Sequence, residues 1–201
     1  MAREPIYLVT EDGDHLVTED GVPLITGYLG LDLELLLSAI VEGIGDHSDG
    51  QLVRLIAPAW WALEDLLQED PELLFQLKDR KFEELLAGKY EAAGYRAILT
   101  PRSGDYGVDV IAESKEGPRV RIFDQAKRYS RGRLVPANDV RALMGSWAFR
   151  DATAGVVTTT SDFAPRIGED PAIKNALSQG LRLINGPTLL QELAELRKAK
   201  G

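Results

Sequence analysis

The spacing of hydrophobic positions changes several times along the chain, and each change marks an element. Residues 7–26 carry short β-prone runs separated by Asp-Gly. Leu8-Val9-Thr10-Glu11-Asp12-Gly13 recurs as Leu16-Val17-Thr18-Glu19-Asp20-Gly21, and Leu24-Ile25-Thr26 begins a third copy. Glycine accepts the positive φ of a tight turn, so this repeat predicts a small β-meander. Residues 31–44 and about 51–68 are apolar on most sides and predict two helices, the first ended by Gly43, Gly45 and a polar run. Trp60 and Trp61 fall in the second, where tryptophans more often pack than bind. Asp70-Pro71 predicts a capped helix start.

Beyond this point the pattern is regular. Phe82, Leu86, Tyr90 and Ala93 form one stripe of a helix over 79–93, which Gly94 ends. A strand at 95–100 follows, then a turn at Pro101-Arg102-Ser103-Gly104. Two strand-like runs within 104–127 turn at Lys115-Glu116-Gly117-Pro118. A helix over 136–149, with Val140, Leu143, Met144 and Trp147 on one side, leads to a buried strand at 154–159. Asp170-Pro171 starts another helix, ended by Gly180. A last strand at 181–184 and a helix at 187–198 close the chain. From residue 79 the order is α-β-β-β-α-β-α-β-α. That predicts an α+β (α/β) domain, a mixed sheet with helices on both faces.

Composition narrows the chemistry. The 201 residues include no cysteine and only His15 and His47. Disulfides, thiolate catalysis and cysteine-ligated zinc are excluded, and a histidine-built site is disfavoured. No run has signal-peptide length or approaches the roughly 18 apolar residues of a membrane span, so the expectation is a cytoplasmic protein with no membrane association. The net charge of −9 conceals a split. Residues 1–72 hold sixteen acidic and two basic side chains, −14, whereas 73–201 hold sixteen acidic and twenty-one basic, +5. Such asymmetry predicts two units, an acidic N-terminal module over 1–70 and a basic domain over 71–201. Asp12 and Asp14 lack EF-hand spacing and read as a solvated turn.

Residues 104–127 carry the candidate chemistry. Asp109 sits within Val108-Asp109-Val110-Ile111, and Gln125 and Lys127 share one face of the next strand, because strand side chains alternate. Metal-assisted phosphodiester hydrolysis needs a carboxylate for a hard cation, further oxygen ligands and a nearby lysine. The alternative is an ordinary cross-strand ion pair between Asp109 and Lys127. A carboxylate inside an apolar strand needs a partner, which favours a functional role without deciding it.

A set of ordered motifs resembles a known family. These are Phe82-Glu83, Gly94-Tyr95, Ser103-Gly104-Asp105-Tyr106-Gly107-Val108-Asp109-Val110-Ile111, Gln125-Ala126-Lys127-Arg128-Tyr129, Gly155-Val156-Val157-Thr158-Thr159 with Phe163, and Leu183-Ile184-Asn185-Gly186 followed by Leu189 and Leu190. Together they resemble the Mrr-like restriction endonucleases, a branch of the PD-(D/E)xK nuclease superfamily, over about 78–198. The resemblance implies a restriction-endonuclease-like core with a Mg²⁺- or Mn²⁺-dependent site. On that pattern Asp109 binds metal, Gln125 stands where a second acid is usual, and Lys127 is the catalytic lysine. Glu83 is an additional acid near the metal, although it reads equally as a solvated helix charge. Asp105 also matches the pattern, and as an aspartate beside glycine it reads more simply as turn chemistry. Pro165, Gly168 and Pro171 depart from the family's regular helix and predict a longer loop with a late helix start.

The segment after Lys127 is basic. Arg128, Arg131 and Arg133 surround Tyr129, with Arg119 and Arg121 upstream and Arg102 in the preceding turn. Guanidinium groups bind phosphates and gain affinity through counterion release, so DNA is the expected partner. A solubilising loop is the simpler alternative. The expectation is a type IV-like restriction endonuclease acting against foreign DNA, as a homodimer or higher homo-oligomer, with residues 1–70 available to a protein partner. The rival readings are a repair or junction-resolving nuclease on the same core, a DNA-binding protein that no longer cleaves, and an interaction protein assembled through the β-repeat and the Trp60–Trp61 helix.

Overall fold

The computed structural model describes residue 36 and residues 40–101, 107–149 and 151–200. The chain divides into two compact units, residues 1–38 and 39–201. The architecture that follows is that of the second. The β-repeat expected at 7–26 and most of the helix expected from 31 lie outside the described residues, as do Arg102 and Asp105.

Seven strands form one mixed sheet in sequence order: β1 Val41–His47, β2 Gly50–Leu55, β3 Tyr95–Leu99, β4 Val110–Ser114, β5 Arg121–Lys127, β6 Ala154–Thr159 and β7 Leu181–Ile184. Strands β1 to β5 pair antiparallel, and β5, β6 and β7 pair parallel. The helices are α1 Ala57–Glu69, α2 Asp79–Ala92, α3 Ala137–Phe149, α4 Pro171–Ser178 and α5 Gly186–Lys200. The order expected from residue 79 onward is the order found. The fold is α+β, a mixed sheet flanked by helices.

Two expected helices are corrected. Residues 41–44 and 51–55 are strand, not helix. Gly43 and Gly45 each disfavour helix by roughly 1 kcal/mol. Ser48-Asp49 makes the turn between β1 and β2, and Gly50 follows it at φ 153° with no room for a Cβ, which would lie 2.2 Å from the Leu99 carbonyl oxygen. That Asp-Gly pair is the same hairpin signal the sequence displays at 12–13.

The boundary near residue 70 moves as well. β2 pairs with β3, so residues 40–70 belong to the unit that contains the sheet. Trp60 on α1 is fully buried, and α1 approaches α2 so closely that a Cβ on Gly88 would lie 2.2 Å from Trp60 Nε1. Trp61 stacks edge-on against Trp60, with Arg197 over its ring at 5.0 Å. Both tryptophans are packing residues.

Helices α2 and α5 lie on one sheet face, and α3 and α4 on the other, where Ile111, Phe123, Val140, Leu143, Val157 and Ile173 share one apolar cluster. The stripe Phe82, Leu86 and Tyr90 is buried, whereas Ala93 lies past the end of α2 and is exposed. Asp70 accepts a hydrogen bond from Glu72 N at 3.0 Å, and the turn it caps is a 3₁₀ helix over Pro71–Gln76. The interrupted segment at 165–171 contains a short 3₁₀ turn before α4 starts at Pro171, capped by Asp170. Among the described residues no helix is long and apolar enough to cross a membrane.

Candidate active site

The sheet changes from antiparallel to parallel at β5, and that change gathers the candidate residues on one edge. Because β3 and β5 run opposite to β4, the end of β3, the start of β4 and the end of β5 share that edge. Thr100, Asp109, Gln125 and Lys127 therefore lie together.

Asp109 sits one residue ahead of β4. Its N–H donates to the Asp124 carbonyl at 3.0 Å, and its Oδ2 accepts from Ala126 N at 2.8 Å. The carboxylate thus takes a β5 donor that β4, now ended, no longer serves. Gln125 is buried, and its Oε1 has no hydrogen-bond partner among the described residues. An acceptor left bare in the interior costs about 1–3 kcal/mol, so its retention calls for a reason. Gly107 closes over the same side chain. Its φ is 77°, and a Cβ there would lie 2.8 Å from Gln125 Nε2. Glycine is required there on both counts.

Strand alternation puts Lys127 on the face of Gln125. Its ammonium has no hydrogen bond or ion pair among the described residues, so the ion pair with Asp109 weighed above is not formed. Its backbone is held firmly. Thr159 Oγ1 donates to Lys127 O at 2.7 Å, Thr160 Oγ1 donates to Tyr129 O at 2.7 Å, and Tyr129 N donates back to Thr160 Oγ1 at 2.9 Å. The buried threonines at the end of β6 brace the strand end that carries the lysine.

The basic segment is tied to neighbouring acids. Arg128 donates to Asp79 Oδ1 at 2.6 Å, Arg131 lies 3.2 Å from Glu72, and Arg133 stacks at 4.2 Å on Tyr129, whose hydroxyl donates to Asp139. That last bond, ahead of burial, raises the Tyr129 pKa. A recess of about 210 Å³ between Asp79, Phe82, Ala126, Lys127, Arg128 and Tyr129 opens beside the segment. Arg119 and Arg121 do not join it. They lie at the opposite end of β5, where Arg121 pairs with Asp49 at 2.7 Å and is mostly buried.

Glu83 connects to Asp109 only through intermediaries. Its Oε2 accepts from Arg80 Nη1 at 2.8 Å, and the same nitrogen donates to the Thr100 carbonyl at 3.1 Å. Glu84 pairs separately with Lys81 at 2.6 Å. Among the described residues no group of three or more His, Cys, Asp or Glu side chains converges as a metal site. Among the described residues the donor set at Asp109 therefore rests on one carboxylate, the Gln125 amide and Glu83 at its margin.

Asp124 went unremarked in the sequence, although the test applied to Asp109, an acid inside an apolar strand, fits it better. It is fully buried on the α2 face, accepting from Tyr90 OH at 2.8 Å and from Thr158 Oγ1 at 2.9 Å. Burial raises its pKa to about 6, against the pull of Lys89 and these hydrogen bonds. Its carboxylate in turn helps push the Tyr90 hydroxyl well above its usual value, where burial is the larger cause. Lys89 is itself buried and pairs with Glu192 at 3.3 Å. This cluster backs the strand that presents Gln125.

Comparison with known proteins follows this geometry. The sequence profile of the Mrr_cat family, described as a restriction endonuclease, matches residues 74–193, more than half of the chain. Among solved structures, the chain is similar to the DNA modification-dependent restriction endonuclease AspBHI, with 17% identity, 92% of this chain and 43% of that chain covered, and a TM-score of 0.46. It is also similar to the MspJI restriction endonuclease in complex with a 27-mer oligonucleotide, with 23% identity, 68% and 30% covered, and a TM-score of 0.40. The chain spans less than half the length of either. No curated protein matches.

Proposed function

This chain belongs to the Mrr_cat restriction endonuclease family, and from that premise we propose that it is a metal-dependent DNA endonuclease whose reacting centre lies between Asp109, Gln125 and Lys127. The observation that carries the reading is Gln125 Oε1, a buried acceptor with no donor among the described residues, next to a carboxylate. Hard divalent cations take oxygen ligands, and an unpartnered carbonyl oxygen beside a carboxylate fits one. Asp109 and Gln125 would hold Mg²⁺ or Mn²⁺, with Glu83 as an outlying acid. When bound, such an ion supplies Lewis acidity toward a phosphoryl oxygen and the attacking water.

The remaining steps belong to the chain. Asp109 brings the negative charge and is held in place by the Ala126 N–H. Gln125 contributes oxygen without charge, so the site binds its ion more weakly than a two-carboxylate site. Lys127, without an ion pair among the described residues and set on a braced strand end, orients the water or stabilises charge on the phosphoryl oxygens. Arg128 and Arg131 hold the DNA backbone by exchanging their carboxylate partners for phosphates, and Arg133, stacked on Tyr129, shapes the loop that presents them. One site per chain cuts one strand, so cleavage of both strands uses a homodimer or higher homo-oligomer. Restriction of foreign DNA is the role the family membership supports.

The test is cleavage of plasmid DNA with Mg²⁺ or Mn²⁺ by the full chain and by Asp109→Ala. The expected result is nicking or linearisation by wild type only. Equal cutting by the variant would remove Asp109 from the site. DNA binding without cutting under any divalent metal would turn the assignment to the non-cleaving binder.

A further inference from the structure

We infer that Arg80 is a positioning residue for the candidate metal site: it holds the Glu83 carboxylate and, through the Thr100 carbonyl, the chain end that presents Asp109. The inference rests on the metal-dependent reading of that site. One nitrogen, Nη1, serves both partners, at 2.8 Å to Glu83 and 3.1 Å to Thr100, and an –NH₂ group has a hydrogen for each. Thr100 follows the last residue of β3 and passes the constraint on. Its N–H donates to Asp109 O at 3.1 Å, and its Oγ1 lies 2.6 Å from Val108 O and 3.2 Å from Asp109 O. Every donor Thr100 owns therefore goes to the two residues that end in Asp109. The chain Glu83, Arg80, Thr100, Asp109 is continuous in hydrogen bonds from α2 to β4.

The neighbouring pair on α2 shows what an ordinary ion pair looks like here. Lys81 and Glu84 have the same three-residue spacing and a 2.6 Å separation, and among the described residues the Lys81 ammonium makes no bond to backbone. Arg80 is also well covered, at 22% side-chain exposure against 14% for Glu83, so neither partner turns freely into solvent. Groups that orient a metal ligand typically change metal affinity by about 10- to 100-fold when removed. The direction of the effect is diagnostic. If Arg80 mattered only as a positive charge, removing it would tighten cation binding, because a repulsion would be lost. If it positions the acids, removing it weakens binding.

The experiment measures Mn²⁺ binding to the full chain without DNA, by electron paramagnetic resonance, alongside thermal unfolding. The variants are Arg80→Ala, Arg80→Lys, Lys81→Ala, Glu83→Ala and the Arg80→Ala/Glu83→Ala double. Expected are a roughly tenfold weaker affinity for Arg80→Ala, an intermediate one for Arg80→Lys, and wild-type affinity for Lys81→Ala. In the Glu83→Ala background the effect of Arg80→Ala shrinks. Unchanged or tighter binding by Arg80→Ala overturns the inference while leaving the nuclease reading intact. An undiminished effect in the Glu83→Ala background also overturns it. If Arg80→Ala does not fold, Arg80→Lys decides, and wild-type affinity there overturns the inference. Wild type that neither binds Mn²⁺ nor cuts DNA sinks the reading of the site itself.

Discussion

The Asp109 carboxylate accepts the Ala126 backbone N–H at 2.8 Å, one residue ahead of the first paired residue of β4. The side chain that would hold a cation therefore also finishes the β4–β5 ladder. The two tasks separate by substitution. Asp109→Asn keeps an acceptor of the same shape and removes the charge. Asp109→Ala removes both. A hydrogen bond to a charged group contributes about 1.5–3 kcal/mol. Asp109→Ala should thus lower the melting temperature by roughly 3–10 °C in a chain of this size, while Asp109→Asn stays near wild type. Both should lose cleavage. Scanning calorimetry with a plasmid assay checks this, and an active Asp109→Asn would show that the charge is not needed.

Gln125 trades stability against function in the opposite direction. Its bare Oε1 costs folding free energy, and Gln125→Leu has similar volume with no polar atom to bury. The variant should gain about 1 kcal/mol or more, a rise of roughly 2–4 °C, and should lose metal-dependent cleavage. Gln125→Glu should bind Mn²⁺ more tightly and fold less stably without it. A Gln125→Leu protein that still cuts at the wild-type rate would end the role given to this residue.

The buried carboxylate of Asp124 predicts a pH effect with a definite sign. Burial raises its folded pKa to about 6, above the unfolded value near 3.9. Between those values the folded state keeps a proton that the unfolded state has lost. Its contribution to stability is therefore complete at low pH, falls as pH rises through about 4 to 6, and is level above. Lys89, Tyr90 and Thr158 limit the fall, and the Glu192 carboxylate adds to it. Asp124→Asn lacks this titration. Its stability relative to wild type should increase by on the order of 1–3 kcal/mol between pH 4 and pH 6.5, measured by urea unfolding. A constant difference across that range would refute the assignment.

The edge of the sheet that forms the site was legible because its residues are contiguous in two strands. Asp109, Gln125 and Lys127 needed only strand alternation and one turn to be brought together, and the helices from residue 79 announced themselves by period and by Asp-Pro starts. What escaped notice depended on distant chain. Arg80 is unremarkable until the end of β3 places a carbonyl against it. Asp124 differs from Asp109 only in which face α2 covers. The β1–β2 hairpin was hidden because its two apolar ends run on into the apolar stretches on either side, and the glycines and the Asp49-Gly50 turn are the signals against helix. Charge misled at residue 70, since β2 is joined to β3 by backbone pairing that leaves no trace in side-chain charge.

The arginines of the basic segment are already engaged with acids and a ring, and that gives a last prediction. Arg131 with Glu72 and Arg128 with Asp79 are ion pairs at the surface, with side-chain exposures of 76% and 51% in the first. Exposed pairs of this kind are worth about 0.2–1 kcal/mol each, so a phosphate displaces the carboxylate at little cost. Glu72→Ala and Asp79→Ala should tighten DNA binding by a few-fold at low salt, because the arginine no longer has to leave a partner. Arg131→Ala should weaken binding on all sequences alike and reduce the slope of log K against log salt by about 1, the signature of one lost phosphate contact. Arg133 differs, since it is stacked on Tyr129 and that hydroxyl is bonded to Asp139. Arg133→Ala should affect binding through the loop's shape and be mimicked by Tyr129→Phe. Filter binding or fluorescence anisotropy over 50–300 mM salt, about the range where such contacts are resolved, supplies the slopes. An unchanged slope for Arg131→Ala, together with unchanged affinity for Glu72→Ala, would leave the segment as a solubilising loop and move the DNA to another surface.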